Sequence, residues 1–359
     1  MNPAASPALV VPPRTVAPPR PRTGSAQLLI PAPAQDPHVH FHAGRYYYTE
    51  SSPTGIFLRT ADHFADFGAS PRRRVWAPPA RGPVSRNLWA PELHLIDGRH
   101  YIYFAADDGD NARHRMWILG ALTADPAGDY TLLGSLDTQG WAIDGTTFAD
   151  RSGDLFFVWS GWPGKRDGCQ NLYIARMKNA CELATPRTLL ATPSEPWECH
   201  AMPICEGPQI LRRANRTFLI YSASGSWTPH YCLGLLEHTG GDFLDASNWI
   251  KHGCVFAPDD HTFGVGHCGF TTTRDDEDWI LYHAKTSRHP GWQDREVRAQ
   301  PFTWSASGLP VFPSPSPRAA LDRTHSERTG ISTSSSSDSF KLNNGSRHNS
   351  PATVSPSTA

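Results

Sequence analysis

The sequence predicts an all-β fold, a five-bladed β-propeller, on two observations. The first is a motif. Five times a polar turn leads into a short aromatic-aliphatic run: Gly44-Arg45-Tyr46-Tyr47-Tyr48, Gly98-Arg99-His100-Tyr101-Ile102-Tyr103-Phe104, Gly153-Asp154-Leu155-Phe156-Phe157-Val158-Trp159, Asn215-Arg216-Thr217-Phe218-Leu219-Ile220-Tyr221 and Glu277-Asp278-Trp279-Ile280-Leu281-Tyr282. Each run has the length and composition of one strand and follows turn residues. The second observation is spacing. The last aromatics, Tyr48, Phe104, Trp159, Tyr221 and Tyr282, are separated by 56, 55, 62 and 61 residues. A β-unit recurring at that period matches one four-stranded propeller blade.

The units occupy the middle of the chain, and the two ends differ from it. Residues 1–33 hold nine prolines, three arginines and no acid, which suits a disordered or polyproline arm. Ala8-Leu9-Val10-Val11 is short for the apolar region of a secretory signal and runs into Pro12-Pro13, so no such signal is expected. From residue 318 the chain turns rich in Ser and Thr, as in Ser334-Ser335-Ser336-Ser337, and reads as a disordered tail over 318–359. Residues 34–317 remain as a single propeller domain.

Composition excludes some partners. A net charge of −1 and a pI near 7.0 offer no basic field for nucleic acid or an anionic membrane surface. No apolar run is long enough to span a bilayer. The 12 Trp, 10 Tyr and 16 Phe supply flat faces that suit sugar C–H surfaces, although most must serve the core. The seven cysteines fall between Cys169 and Cys268 without paired zinc spacing. Buried thiols are the expectation, with disulfides Cys169–Cys181 or Cys199–Cys205 left open.

Strands around a central axis bring single residues from successive blades to one pocket, so polar residues in phase with the repeat are the candidates. In chain order these are Asp36, Glu92, Asp144, Glu206 and His267. Asp36 and Glu92 precede their marker aromatics by 12 residues, and Asp144, Glu206 and His267 by 15. Several carboxyl groups converging on one pocket suit glycoside hydrolysis, in which one protonates the leaving oxygen and another activates water or attacks carbon. A third nearby can raise the acid's pKa. Trp89 and Trp162 are candidate sugar platforms. His38, His40 and His42 alternate as on one strand face, but the sequence places no fourth ligand and they are read as strand residues rather than a metal site.

These segments resemble glycoside hydrolase family 43. The likeness rests on Asn87-Leu88-Trp89-Ala90-Pro91-Glu92, Trp141-Ala142-Ile143-Asp144-Gly145-Thr146, Glu206-Gly207-Pro208, Trp279-Ile280-Leu281-Tyr282-His283-Ala284 and Arg298-Ala299-Gln300-Pro301-Phe302-Thr303-Trp304, most like the α-L-arabinofuranosidase branch. The resemblance implies an inverting five-bladed enzyme releasing L-arabinofuranose from arabinan or arabinoxylan-type polymers or oligosaccharides. It makes Asp36 the general base, Asp144 the pKa modulator, Glu206 the general acid and Arg298 an arginine that binds sugar hydroxyls or the modulator carboxylate; Trp89, Glu92 and Trp162, read from their own positions, are expected as further substrate contacts. It makes His267 the axial histidine beside a water-held calcium ion; no cofactor is required for the chemistry. A monomer is expected. The family is mostly extracellular and no signal is expected here, so the compartment stays open. Cys205 and Cys268-Gly269 depart from the usual residues beside the acid and the axial histidine. Rival readings are a β-xylosidase of the same family, a retaining fructosyl hydrolase using Glu198 of Trp197-Glu198-Cys199, and a non-catalytic sugar-binding propeller.

Overall fold

In the computed structural model, which describes residues 25–315, each aromatic run becomes the second strand of an antiparallel blade, four-stranded in four of them and five-stranded in blade 3, where Glu182–Leu183 and Thr188–Ala191 both pair with Asn171–Asn179. These second strands are Arg45–Ser52, Arg99–Asp107, Leu155–Gly161, Arg216–Ala223 and Asp278–Lys285. A strand paired on both edges and packed between neighbouring blades must be apolar on both faces. The five marker aromatics accordingly have relative exposures of 0–1%.

The innermost strands are His38–His42, Arg86–Ile96, Ala142–Ala149, Cys205–Arg213 and Phe263–Thr272. Each contacts the next, and the fifth returns to the first, so the ring closes. The described residues contain no α-helix, only four three-residue 3₁₀ turns, and no helix long and apolar enough to cross a membrane. Five apolar clusters hold the ring together, each between two adjacent blades. One joins Tyr103 and Ile118 of blade 2 to Phe157 and Trp159 of blade 3. Removing the Trp159 side chain from that cluster would destabilise the fold by about 3–5 kcal/mol.

Blade 5 is built from both ends of the described chain. Its outermost strand is Gln27–Ile30, which pairs Gln27 with Ala299, Leu28 with Arg298 and Ile30 with Val297. The arm expected over residues 1–33 therefore gives up its last part to the propeller. Leu29 and Ile30 are buried there, and the paired sheet edge offsets the cost of ordering the segment. The rest of the arm, residues 1–24, and the tail expected over 318–359 lie outside the described residues. All seven cysteines are free thiols, so neither pairing left open forms; Cys205 is buried with its Sγ 3.6 Å from Glu198 Oε1, while Cys199 is exposed.

Candidate active site

A cleft of about 540 Å³ opens over the ends of the innermost strands, and Asp36, Asp144, Glu206 and His267 all line it. The backbone aims them. Asp36, Asp144 and His267 have φ of 50°, 55° and 44°, in the left-handed region that side chains rarely adopt. The ladder of blade 3 slips between Ile143 and Thr146, that of blade 4 between Glu206 and Gln209, and that of blade 5 between Gly266 and Cys268. Each slip is a bulge that turns a side chain from the sheet face toward the axis. Gly207, at φ 54°, completes the set: a Cβ there would stand 3.1 Å from His267 Nδ1 and 3.1 Å from Ser222 Oγ.

Asp36 is surrounded by nitrogen. His283 Nδ1 lies 3.3 Å from its Oδ1, and His267 Nδ1 and Arg295 Nη1 each lie 3.5 Å away. Burial pushes the Asp36 carboxyl up, but His267, Arg295 and His283 together outweigh burial and hold it below its ordinary value. Asp36 is thus kept ionised.

Glu206 is treated in the opposite way. Burial, with the charge of Asp36, pushes it up to about 7, against the Tyr231 hydroxyl that donates to its Oε1 at 2.8 Å. Asp144 also rises well above its ordinary value, chiefly through burial and then through the charges of Glu206, Asp36 and Glu92; the Gly207 N–H donates to its Oδ2 at 3.2 Å. Asp144 and Glu206 therefore titrate as a pair that retains a proton near neutral pH. Tyr231 links the two halves of the site: its hydroxyl holds Glu206 and its ring stacks on His283 at 5.3 Å. Gly266 makes room for that ring, because a Cβ there would come within 2.3 Å of it.

Trp89 lines the cleft, 37% exposed, and stacks at 4.1 Å on buried His114, whose Nδ1 is 2.8 Å from Asp107. Trp162 is not a cleft residue. It is buried and stacks at 4.6 Å behind Trp141, which itself faces the cleft. Arg298 is also displaced from the expected place. Along Arg295–Pro301 the side chains alternate, so Arg295 shares its face with buried Val297 and Ala299, and Arg298 points the other way. There Arg298 Nε donates to Glu296 at 2.6 Å and Nη1 to Thr262 at 2.9 Å. Arg295 occupies the cleft instead. Glu92 is not a lining residue; it sits buried, 2.9 Å from His94 Nε2 and hydrogen-bonded to Gln209. Its carboxyl is pushed up mainly by burial.

Sequence reasoning missed Arg295, His283, Tyr231, Trp227 and Trp292. His283 follows the blade 5 marker directly and could have been found by phase. Trp227 and Trp292 meet edge-on at 5.7 Å on loops, where no repeat marks position. Glu198, the acid of the fructosyl reading, is wholly buried away from the cleft. It pairs with Lys251 at 2.8 Å and accepts from Tyr221 at 2.7 Å.

The calcium expected beside His267 would be held largely by water. Calcium takes six to eight oxygens, whereas His267 offers one imidazole whose Nδ1 already faces Asp36 and Asp144, the latter at 3.9 Å. Among the described residues, neither compact group of three potential ligands includes His267.

The comparisons agree with this geometry. The model of glycosyl hydrolases family 43 matches residues 28–310. The extracellular exo-alpha-(1->5)-L-arabinofuranosidase of Streptomyces chartreusis is 35% identical over 262 residues, covering 70% of this chain and 79% of that protein. Alpha-L-arabinofuranosidase 43 of Humicola insolens is 33% identical over 301 residues, covering 79% of this chain but 62% of its own length. The crystal structure of an alpha-L-arabinofuranosidase from Lactobacillus brevis superimposes with a TM-score of 0.75 at 33% identity, over 80% of this chain and 96% of that one. With five blades, three acids at the axial cleft and a family match across the whole ring, this chain belongs to glycoside hydrolase family 43.

Proposed function

We propose that this enzyme releases L-arabinofuranose from arabinan or arabinoxylan-type chains with inversion, using Asp36 as base and Glu206 as acid. One observation carries the assignment: two carboxyls of one cleft are driven in opposite directions, Asp36 down by three nitrogenous neighbours and Glu206 up to about 7 by burial. Environments that separate two pKa values separate the two roles. Asp36 removes a proton from water as its oxygen attacks the anomeric carbon. Glu206 gives its proton to the leaving oxygen as the glycosidic bond breaks. Both groups then exchange protons with solvent, and the sugar departs with its anomeric configuration reversed.

Asp144, pushed up partly by the charge of Glu206, shares the retained proton with it, and Arg295 fixes the orientation of Asp36. Trp89 and Trp292 offer exposed aromatic faces for the sugar chain. The named arabinofuranosidase relatives support arabinose over xylose. The test is hydrolysis of arabino-oligosaccharides, arabinan, arabinoxylan and aryl arabinosides and xylosides, with the first anomer read by NMR. Retention, or a preference for xylosides, overturns the proposal.

A further inference from the structure

The end of the ring opposite the cleft carries a second constellation. Asp36 stands before the start of the strand His38–His42, whereas His42 closes that strand at its hairpin, opposite Arg45. His100 occupies the same end of blade 2, opposite Leu95 and one residue from the Ile96–Arg99 pair beside the turn. His40 and His42, two apart, share a strand face. His42 and His100 have ring centroids 4.8 Å apart, His40 and His100 5.7 Å, and both pairs meet at 82°. One donor nitrogen from each of the three lies within 4.8 Å of the others.

These imidazoles are poorly explained as core residues. His100 is 2% exposed, and its Nε2 and that of His40 are buried without a hydrogen-bond partner among the described residues. Such groups are normally satisfied. The neighbouring group His38–Glu92–His94 shows the contrast, because its Glu92 is already engaged by His94 and Gln209.

We propose that His40, His42 and His100 form a binding site for a divalent transition ion of the zinc type, joining the lower edges of blades 1 and 2. Three imidazoles with one position left to solvent form a donor set that zinc accepts. Zinc–nitrogen bonds of about 2.0–2.1 Å put tetrahedral donors about 3.3 Å apart, which modest rotation of the half-buried His42 ring approaches. The site is separate from the cleft, whose lining includes none of the three.

The test uses the full chain after dialysis against chelator. Zn²⁺ is titrated by calorimetry and Co²⁺ by visible absorption, which reports tetrahedral coordination. The expected result is one equivalent per chain, a Zn²⁺-dependent rise in melting temperature, and at least about tenfold weaker binding in both His42→Gln and His100→Gln. His42 is half-buried at a strand end, so His42→Gln decides the matter even if His100→Gln fails to fold. Aryl-glycoside cleavage should be unchanged in His42→Gln. His200→Gln serves as control, because His200 and His230 stack at 4.4 Å and offer a rival pair. No stoichiometric binding, binding that survives His42→Gln, or binding lost in His200→Gln overturns the proposal.

Discussion

Replacing Tyr231 by Phe removes one hydroxyl from the site and little volume. That hydroxyl donates to Glu206 Oε1 at 2.8 Å, and the interaction lowers the Glu206 pKa by stabilising the carboxylate. A hydrogen bond to a charged group contributes about 1.5–3 kcal/mol. At about 1.4 kcal/mol per pKa unit, its loss should raise the acid from about 7 by roughly one to two units. The assay is kcat/KM against pH on an arabino-oligosaccharide, whose alkaline limb reports the essential acid of the free enzyme. Because Asp144 and Glu206 titrate together, the limb belongs to the pair, but the direction is the same. The Tyr231→Phe limb should move to about pH 8 or above.

The sign follows from linkage. Glu206 in the folded protein holds its proton to a higher pH than in the unfolded chain. Its contribution to stability is therefore fully present below its ordinary value of 4.5 and is lost as pH rises through about 7. In Tyr231→Phe that loss should continue to higher pH, which urea titrations at several pH values would follow. An alkaline limb that stays in place or moves down would refute Glu206 as the acid that Tyr231 tunes.

Other expectations follow from the same contacts. Glu206→Ala should reduce cleavage of natural linkages by about 10²–10⁴ while sparing aryl arabinosides with good leaving groups; Asp36→Ala should harm both alike, since each needs activated water. Equal loss on both substrates in Glu206→Ala would send the acid role elsewhere. Glu198→Ala should lower stability by about 3–5 kcal/mol in chemical unfolding, because it strands Lys251 and the Tyr221 hydroxyl, yet leave kcat of the folded protein unchanged. A selective fall in kcat would revive the fructosyl reading. Trp292→Ala, at an exposed aromatic face of the cleft, should raise KM for oligosaccharides more than it lowers kcat.

The fold was legible because its dominant signal is local. A second strand buried on both faces must be continuously apolar, and five such strands at one period announce five blades. Phase made the site partly legible: Asp144, Glu206 and His267 share an offset of 15 from their marker aromatics and all reach the cleft, whereas of the two residues at an offset of 12 Asp36 reaches it and Glu92 does not. What phase could not supply was facing. Arg295 and Arg298 differ by three residues, an odd number, and the strand turns one to the cleft and the other to Glu296. Trp141 and Trp162 illustrate the same limit, since only packing decides which of two stacked rings faces the cleft. The outer strand Gln27–Ile30 was hidden by its proline-rich surroundings. Its partner lies about 270 residues away, beyond any local pattern.

That strand also bears on the chemistry. Gln27–Ile30 pairs with Arg295–Pro301, whose first residue holds Asp36 and whose second face carries Arg298. Asp36 itself lies only six residues beyond Ile30, with the Ala34 N–H donating to the Arg295 carbonyl at 2.8 Å. Ring closure and base placement are therefore one construction: the segment that closes blade 5 delivers the base to the arginine of the same sheet. A left-handed residue such as Asp36 costs of order 1–3 kcal/mol and persists only where its surroundings over-determine it. The paired strand on one side and His38–His42 on the other supply that constraint. Deleting Gln27–Ile30 should thus lower kcat as well as melting temperature, whereas a strand serving stability alone would leave kcat of the folded fraction intact.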